Sequence, residues 1–410
     1  MARVTNNGGS AQAHGDRPGR ADTPAKRAVI IGAGIAGLAT ALRLHRSGWR
    51  VLVVERAPGR RSSGYLVNLP GQAYDTAGRL GILPQLVARD IGFFTSILTR
   101  ADGSAKFTVP AAAAQALGSR MLTVFRGDLE TVLYEEISEI VPIRFGTTVR
   151  AVVPGRDEVD IEFADGSRET ADLLVGADGV HSVVRGLLFG EATDCRVELK
   201  HMVGALPLDG TPDGVPEGAG TTFIGVRRTA AVMNLGPGRS SAFFTYYSED
   251  PETELKRGAV DALTTAFGDL EGGVPNALRQ LARDPGAAYF DSVSQIVLNR
   301  WSSGRVLLLG DSAWCVTVFA GHGAALALTG ADRLGDELDA HGDDIPAALA
   351  AWEAALRPEV RKRQALARKG TAQFAPPTKA HIFANEMMIR AMRLPGIRTM
   401  MQRAIARANE

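Results

Sequence analysis

The stretch AVIIGAGIAGLATALRLHRSGWRVLVVE, residues 28–55, decides how the rest of the chain is read. Ala28 to Ile31 is a short apolar run that ends in glycines, Ile35 to Arg46 shows helical spacing, and Val51 to Val54 is a second apolar run. The pattern predicts strand, helix and strand. Between the first two lies Gly32-Ala33-Gly34-Ile35-Ala36-Gly37, and Glu55 closes the second strand. Glycines there permit a tight turn and let backbone N–H groups at a helix N-terminus approach a pyrophosphate. A carboxylate beyond the second strand accepts hydrogen bonds from ribose hydroxyls. A glycine pattern alone is weak; in register with a strand, a helix and an acid it points to a dinucleotide. An acid rather than a base at position 55 disfavours a 2′-phosphate, so FAD or NAD fits better than NADP.

Outward from this unit, 410 residues are enough for two lobes with a shared interface. Hydrophobic residues at 45% and charged residues at 22% exclude global disorder. The 46 basic and 45 acidic side chains leave a formal net charge of +1, so no global field draws in nucleic acid or an anionic membrane. Cys195 and Cys315 form neither a disulfide framework nor a metal-ligand pattern, and no metal is expected; free buried thiols fit a reducing, cytoplasmic setting. Residues 1–27 lack an apolar h-region and read as a disordered tail. The apolar stretch Ala28 to Leu44 carries Gly32, Gly34 and Gly37 and suits a nucleotide loop better than a membrane span, so membrane contact is not expected.

The remaining elements predict an α/β fold: a Rossmann-like dinucleotide domain, a second, largely antiparallel β-sheet domain and a C-terminal helical segment. Asp128 to Ile140 reads as a helix, Val149 to Val153 with Val159 to Phe163 as a hairpin, and Leu173 to Val175 as a buried strand. The β-like runs Gly204 to Leu208, Thr222 to Val226, Ala230 to Leu235 and Ala242 to Tyr246 alternate with Gly and Pro turns. Arg305 to Leu309 is a further buried strand; His322 to Leu338, Ile345 to Arg368 and Lys379 to Arg407 have helical spacing. The first domain is thus expected to take 28–91, 127–195 and 294–372, and the second 92–126 and 196–293. The segment 373–410 should form an amphipathic helix packed on the dinucleotide lobe.

Two later motifs follow strands. Leu174-Val175-Gly176-Ala177-Asp178-Gly179-Val180-His181-Ser182-Val183-Val184-Arg185 runs from a strand into a turn. Gly304-Arg305-Val306-Leu307-Leu308-Leu309-Gly310-Asp311-Ser312-Ala313 ends a strand on an acid, and Ala320-Gly321-His322-Gly323 opens a second glycine-rich helix N-terminus. Together these could hold a ribityl hydroxyl and a pyrophosphate or flavin oxygen.

In this order and spacing, the three segments resemble the group A flavoprotein monooxygenases of the para-hydroxybenzoate hydroxylase fold, over residues 28 to about 372. The resemblance implies that Gly32, Gly34, Gly37, Glu55 and Arg56 hold the ADP half of FAD and that Asp178 and Gly179 lie near FAD and the nicotinamide. It further implies that Gly310 and Asp311 hold the ribityl chain, with Gly321 and Gly323 beside the flavin, and that Arg126 reaches the cofactor. Tyr65 and Asn68 match positions near the isoalloxazine or substrate, and His322 sits at the expected flavin edge. Phe223, Phe243, Tyr246 and Tyr247 lie on strands, where core packing is the default.

The implied reaction is reduction of FAD by NADH or NADPH, capture of molecular oxygen as a C4a-hydroperoxide and oxygenation of a small hydrophobic, aromatic or polyketide-like substrate. The chain departs from the family at Trp314, where histidine is common, near Thr317 and Val318, where proline is common, and at Gly330, where aspartate is common. Trp314-Cys315 with the following Ala-Gly-x-Gly is similar to a bacterial natural-product subset that includes relatives acting on tetracycline-like polyketides. The departures leave two other expectations open: a flavin-bound, non-redox [4+2] cyclase and a non-catalytic dinucleotide-binding protein.

Overall fold

The computed structural model describes residues 25–60, 65–112, 121–190 and 195–391; most of the tail expected at 1–27, and the chain beyond 391, lie outside them. Strands β1 (Arg27–Ile31), β2 (Arg50–Glu55), β7 (Ile143–Phe145), β11 (Leu173–Gly176), β17 (Ser302–Ser303) and β18 (Val306–Leu308) form one sheet in the order β17-β18-β11-β1-β2-β7. The pairings β18·β11, β11·β1, β1·β2 and β2·β7 are parallel. All residues of β11 and β18 are buried, as a parallel sheet covered on both faces requires. Helix α1 (Ile35–Arg46) buries eight of its residues and carries Arg43, His45 and Arg46 in its last turn, where they complement the helix dipole. Ile31 lies beside Val54 and Gly176, and Gly176 beside Leu308, so β1, β2, β11 and β18 end at one edge. The loops after them must converge there.

The second sheet has the order β16-β12-β15-β14-β13-β4-β5 and contains β4 (Thr95–Thr99), β5 (Ala105–Val109), β12 (Arg196–Leu208), β13 (Ala219–Gly225), β14 (Arg228–Asn234), β15 (Ser240–Tyr247) and β16 (Tyr289–Ile296). Only β13·β4 is parallel. Helices Pro251–Arg257, Ala259–Phe267 and Val274–Arg283 follow β15, and Leu263, Phe267, Ala277 and Leu281 pack with Met202, Leu206 and Phe244 in a separate core. Gly204 admits Leu263: a Cβ at 204 would stand 2.6 Å from its Cδ1.

Met121–Phe125 (β6), expected with the second lobe, pairs instead with β3 (Leu66–Pro70) in a two-stranded ribbon, while β8 (Val149–Pro154), β9 (Val159–Phe163) and β10 (Arg168–Ala171) make a small antiparallel sheet. The expected helix at 128–140 starts earlier, as α2 (Arg126–Ile137). The chain continues through α3 (Val183–Leu188), α4 (Asp311–Trp314), α5 (Gly323–His341) and the 30-residue α6 (Ile345–Phe374), which runs beyond the expected Arg368 despite Pro358 inside it. Asp344 caps α6 by accepting from the Ala347 N–H at 3.1 Å. Helix α7 (Lys379–Ala391) corrects its expected position on the dinucleotide lobe: Glu386 pairs with Lys106, and Arg390 lies 4.9 Å from the Phe107 ring centroid, both on β5 of the second sheet. No helix among the described residues is long and apolar enough to cross a membrane.

The departures at 314 and 330 are two sides of one contact. Trp314 is buried with Trp301 and Trp352, at centroid distances of 4.7 and 5.6 Å, and a Cβ on Gly330 would stand 3.2 Å from its ring. Trp352 Nε1 donates to the Gly330 carbonyl at 2.8 Å, locking α6 to α5. An indole thus fills space that only a glycine leaves. Gly330→Asp should destabilise the protein by more than about 2 kcal/mol through overpacking and an unpaired buried carboxylate. In a urea-denaturation double-mutant cycle, adding Trp314→His should recover at least about 1 kcal/mol of the summed losses. Strictly additive losses would mean that the two positions do not share this space.

Candidate active site

The first loop is shaped by what its glycines lack. Gly32 has φ +108°, and a Cβ there would stand 2.4 Å from the Ala177 carbonyl oxygen; a Cβ on Gly37 would stand 1.9 Å from the Gly32 oxygen. The turn therefore folds tightly against both the neighbouring strand end and its own helix. Gly34 differs: its nearest would-be neighbours, Arg126 and Glu130, are 3.8 Å away, so the N-terminus of α1 stays open. Glu55 ties β2 to this loop, accepting from the Ala33 N–H at 2.9 Å and the Ala57 N–H at 2.8 Å.

Behind β11, Asp178 spends its carboxylate on the start of α3. It accepts from Ser182 Oγ at 2.5 Å and from the N–H groups of Val183 and Val184 at 2.6 and 3.2 Å. Gly179 takes the turn at φ +77°. Arg185 is 1% exposed and makes no ion pair among the described residues; its guanidinium donates to the Ser312 carbonyl at 3.0 Å and the Val180 carbonyl at 2.6 Å. It fastens the second motif to the third. Gly310, at φ +75°, packs closely on α1: a Cβ there would stand 2.8 Å from the Ala36 Cβ.

These loops surround a cavity of 340 Å³, a size typical of small-molecule sites. Of the sequence-predicted residues, Gly32, Gly34, Glu55, Arg56, Tyr65, Asn68, Arg126, Asp178, Gly179, Asp311, Gly321 and Gly323 line it. Gly37, Gly310 and His322 do not. The two glycines shape the loops from behind. His322 Nδ1 bonds the Ala320 carbonyl, its Nε2 is buried without a partner, and burial lowers its pKa, so the ring is neutral at pH 7. Phe223, Phe243, Tyr246 and Tyr247 are not among the lining residues either; Tyr246 Oη donates to Glu254 at 2.8 Å.

Asp311 lines the cavity and is exposed to it, although protein crowds around it. Burial pushes its pKa up, against the opposing pull of Arg126 and a hydrogen bond from Cys315. Burial, reinforced by the Asp311 charge, pushes the Cys315 thiol well above its usual range. Tyr65 and Tyr289 face each other with ring centroids 6.1 Å apart, and burial raises both phenols, so each remains a hydrogen-bond donor. Arg126 pairs with Glu130 at 2.7 Å, with its guanidinium carbon 5.8 Å from the Tyr65 ring centroid.

The opposite wall comes from the second sheet, through Val203 on β12 and Tyr289, Ser292, Val293 and Ser294 on β16. His181 crosses between the lobes, with Nε2 2.9 Å from Asp291 Oδ2. Tyr289 and the fastening role of Arg185 are not readable from the sequence, and Cys315 and Thr317 are readable there only as members of a divergent loop. Thr317 alone carries a local anomaly, a β-branched residue at φ +83°, and that is visible only in the backbone.

The site suits FAD on this chain's own geometry: an open helix N-terminus at Gly34, a ribose-competent acid at Glu55, an acid open to the cavity at Asp311 and a second glycine-rich helix start at 321–323 share one cavity. A family model described as an FAD binding domain matches residues 26–344. The chain belongs to this family, as an FAD-dependent monooxygenase of the para-hydroxybenzoate hydroxylase type. It is 30% identical over 343 residues to a 3-hydroxybenzoate 6-hydroxylase of Polaromonas naphthalenivorans, spanning 81% of this chain and 84% of that protein. It is 27% identical over 344 residues to a flavin-dependent monooxygenase of an unknown prokaryotic organism, spanning 83% and 88%. Among solved structures, Klebsiella pneumoniae HpxO complexed with FAD and uric acid superimposes with a TM-score of 0.73 at 25% identity, covering 93% of this chain and 97% of that one. FAD is the cofactor of this oxidoreductase, with NADH or NADPH as the co-substrate typical of the family.

Arg185→Met keeps much of the side-chain volume but strands two buried carbonyls, and should cost on the order of 3 kcal/mol in chemical denaturation. The same variant should also bind FAD more weakly, because the loops carrying Asp178 and Asp311 lose their shared anchor. Unchanged stability would remove Arg185 from this role.

Proposed function

We propose that this monooxygenase inserts one oxygen atom of O₂ into an electron-rich aromatic or polyketide-like small molecule, the other leaving as water while NADH or NADPH is oxidised. The observation that carries this reading is a single cavity with two unlike walls. Loops from the parallel sheet supply its charged, phosphate-competent side, and β12 and β16 supply an apolar and hydroxylic side. Bound FAD would supply hydride acceptance and oxygen activation.

In this reading, the N–H groups at the start of α1 and the Gly34 gap receive the pyrophosphate, Glu55 the adenosine ribose, and Arg56 and Arg126 the remaining cofactor charge. Asp311 holds the ribityl chain, and the glycines at 321 and 323 leave backbone N–H groups open to the flavin ring. Asp178 contributes indirectly, since its carboxylate is committed to α3 and it fixes the Gly179 turn. Neutral Tyr65 and Tyr289 can donate to a substrate oxygen without ionising. The walls from β12 and β16 exclude water around the reacting carbon. The cyclase alternative drew on the divergent residues 314–318; of these Trp314 packs into the core, whereas Cys315, Thr317 and Val318 line the cavity.

Purified protein should bind FAD and, with substrate present, consume NADH or NADPH and O₂ in equal amounts. Asp311→Ala should weaken FAD binding at least about tenfold, the loss of one charge-assisted buried hydrogen bond. A colourless protein that takes up no FAD would overturn the assignment of these residues. Product formed without oxygen uptake would favour the cyclase.

A further inference from the structure

Helix α1 has no negative charge of its own at the end where one is most favourable. Its first turn contains no acidic residue, and its N-cap, Gly34, has no side chain to accept from the leading N–H groups. The acid comes instead from the neighbouring helix α2. Glu130 Oε1 lies 3.8 Å from where a Cβ on Gly34 would stand, and the Arg126 guanidinium lies at the same distance. The two side chains pair at 2.7 Å, four residues apart on α2, and the Glu130 side chain is only 12% exposed. A largely enclosed carboxylate thus stands at the anion-binding end of α1.

The surroundings explain how a carboxylate is tolerated there. Arg126 on the same helix and Arg60 beyond β2 attract it, and the positive end of α1 adds to both. Glu55 at the end of β2 opposes it, and its charge in turn acts on the Tyr65 phenol ahead of β3. Burial holds the Glu130 carboxyl above the ordinary carboxylate range, against the pull of the two arginines. Arg126 lines the cavity and Glu130 does not, so the acid acts on the cavity from behind the arginine. A pyrophosphate arriving at the Gly34 gap would meet an Arg126 already paired, and its negative charges would add to one already in place.

We propose that Glu130 competes with the FAD pyrophosphate: a positioning residue acting through Arg126, it holds part of that arginine's charge, and of the positive end of α1, away from the cofactor. The chain therefore binds FAD less tightly than its glycine loop and Arg126 would without this acid. The inference rests on the proposed place of the pyrophosphate at α1, and two variants separate the two readings. Glu130→Gln keeps the size of the side chain and an oxygen for Arg126 but removes the charge. Gly34→Ala puts a methyl group into the gap at a backbone φ of −84°, which any residue adopts, with no atom of another element nearer than 3.8 Å. It tests the place of the pyrophosphate without disturbing the fold.

Release of FAD from the holoenzyme on dilution, followed by the recovery of flavin fluorescence, reports the affinity without turnover. At pH 8, Glu130→Gln should bind FAD at least fivefold more tightly than the natural chain, and Glu130→Ala should move in the same direction. The natural side chain loses its charge as pH falls through its raised range and then resembles glutamine, so the advantage of Glu130→Gln should fall by at least half at pH 5.5. Gly34→Ala should weaken FAD at least tenfold. Equal affinity or weaker binding of Glu130→Gln at pH 8, or a gain that is the same at both pH values, overturns the competition. If Gly34→Ala binds FAD as the natural chain does, the place of the pyrophosphate is wrong and the inference falls with it. If Gly34→Ala weakens FAD while Glu130→Gln changes nothing, only the role of Glu130 falls.

Discussion

The contact on which the site most depends is the buried guanidinium of Arg185 between the carbonyls of Val180 and Ser312. A charge so enclosed is costly unless its donors are well placed, so the two loops it joins are held in a narrow range of separations. Ser312 adds a second tie, since its hydroxyl lies 2.5 Å from the Gly176 carbonyl oxygen. The turn at 179 and the acid at 311 are thereby fixed relative to each other before any ligand arrives. The glycine loop joins the same assembly through the close approach of Gly32 to Ala177. Three separate strand ends become one rigid rim.

That rim was largely legible in the sequence, because its signals are local. Glycines that cannot carry a Cβ, an acid closing β2 and apolar runs buried on both faces are properties of short segments. The strands of the second sheet were legible by alternation, though not their order. β4 joins that sheet beside β13, whereas β6 leaves it for β3, a choice set by long-range packing. The site wall was less readable for the same reason. Tyr289, Ser292 and Ser294 sit on β16 in a segment that looks like any half-buried strand. Only the pairing of β16 with β12 and its crossing to the parallel sheet bring them to the cavity. The lobe that carries helix α7 is not legible, because its periodicity predicts a buried face without naming the surface it meets.

The divergent segment 314–318 illustrates how one stretch can serve two ends. Trp314 turns away from the cavity into a cluster with Trp301 and Trp352, over which Arg357 lies 4.5 Å from the Trp301 centroid. Cys315, Thr317 and Val318 line the cavity, while Val316 between them stays in the core. The departure at 314 is thus a matter of core volume, matched by the bare backbone of Gly330, whereas the departures at 317 and 318 change the wall that a ligand meets.

Cys315 gives this wall a further property. A thiol is attacked by oxidants mainly as its thiolate, and here burial and the neighbouring Asp311 hold the proton on sulfur. Its Sγ also lies 3.4 Å from the Ser294 carbonyl oxygen, an alternative acceptor to Asp311 for the one thiol proton. The enclosure that shapes the pocket thus also sets a protonated, uncharged thiol in its wall.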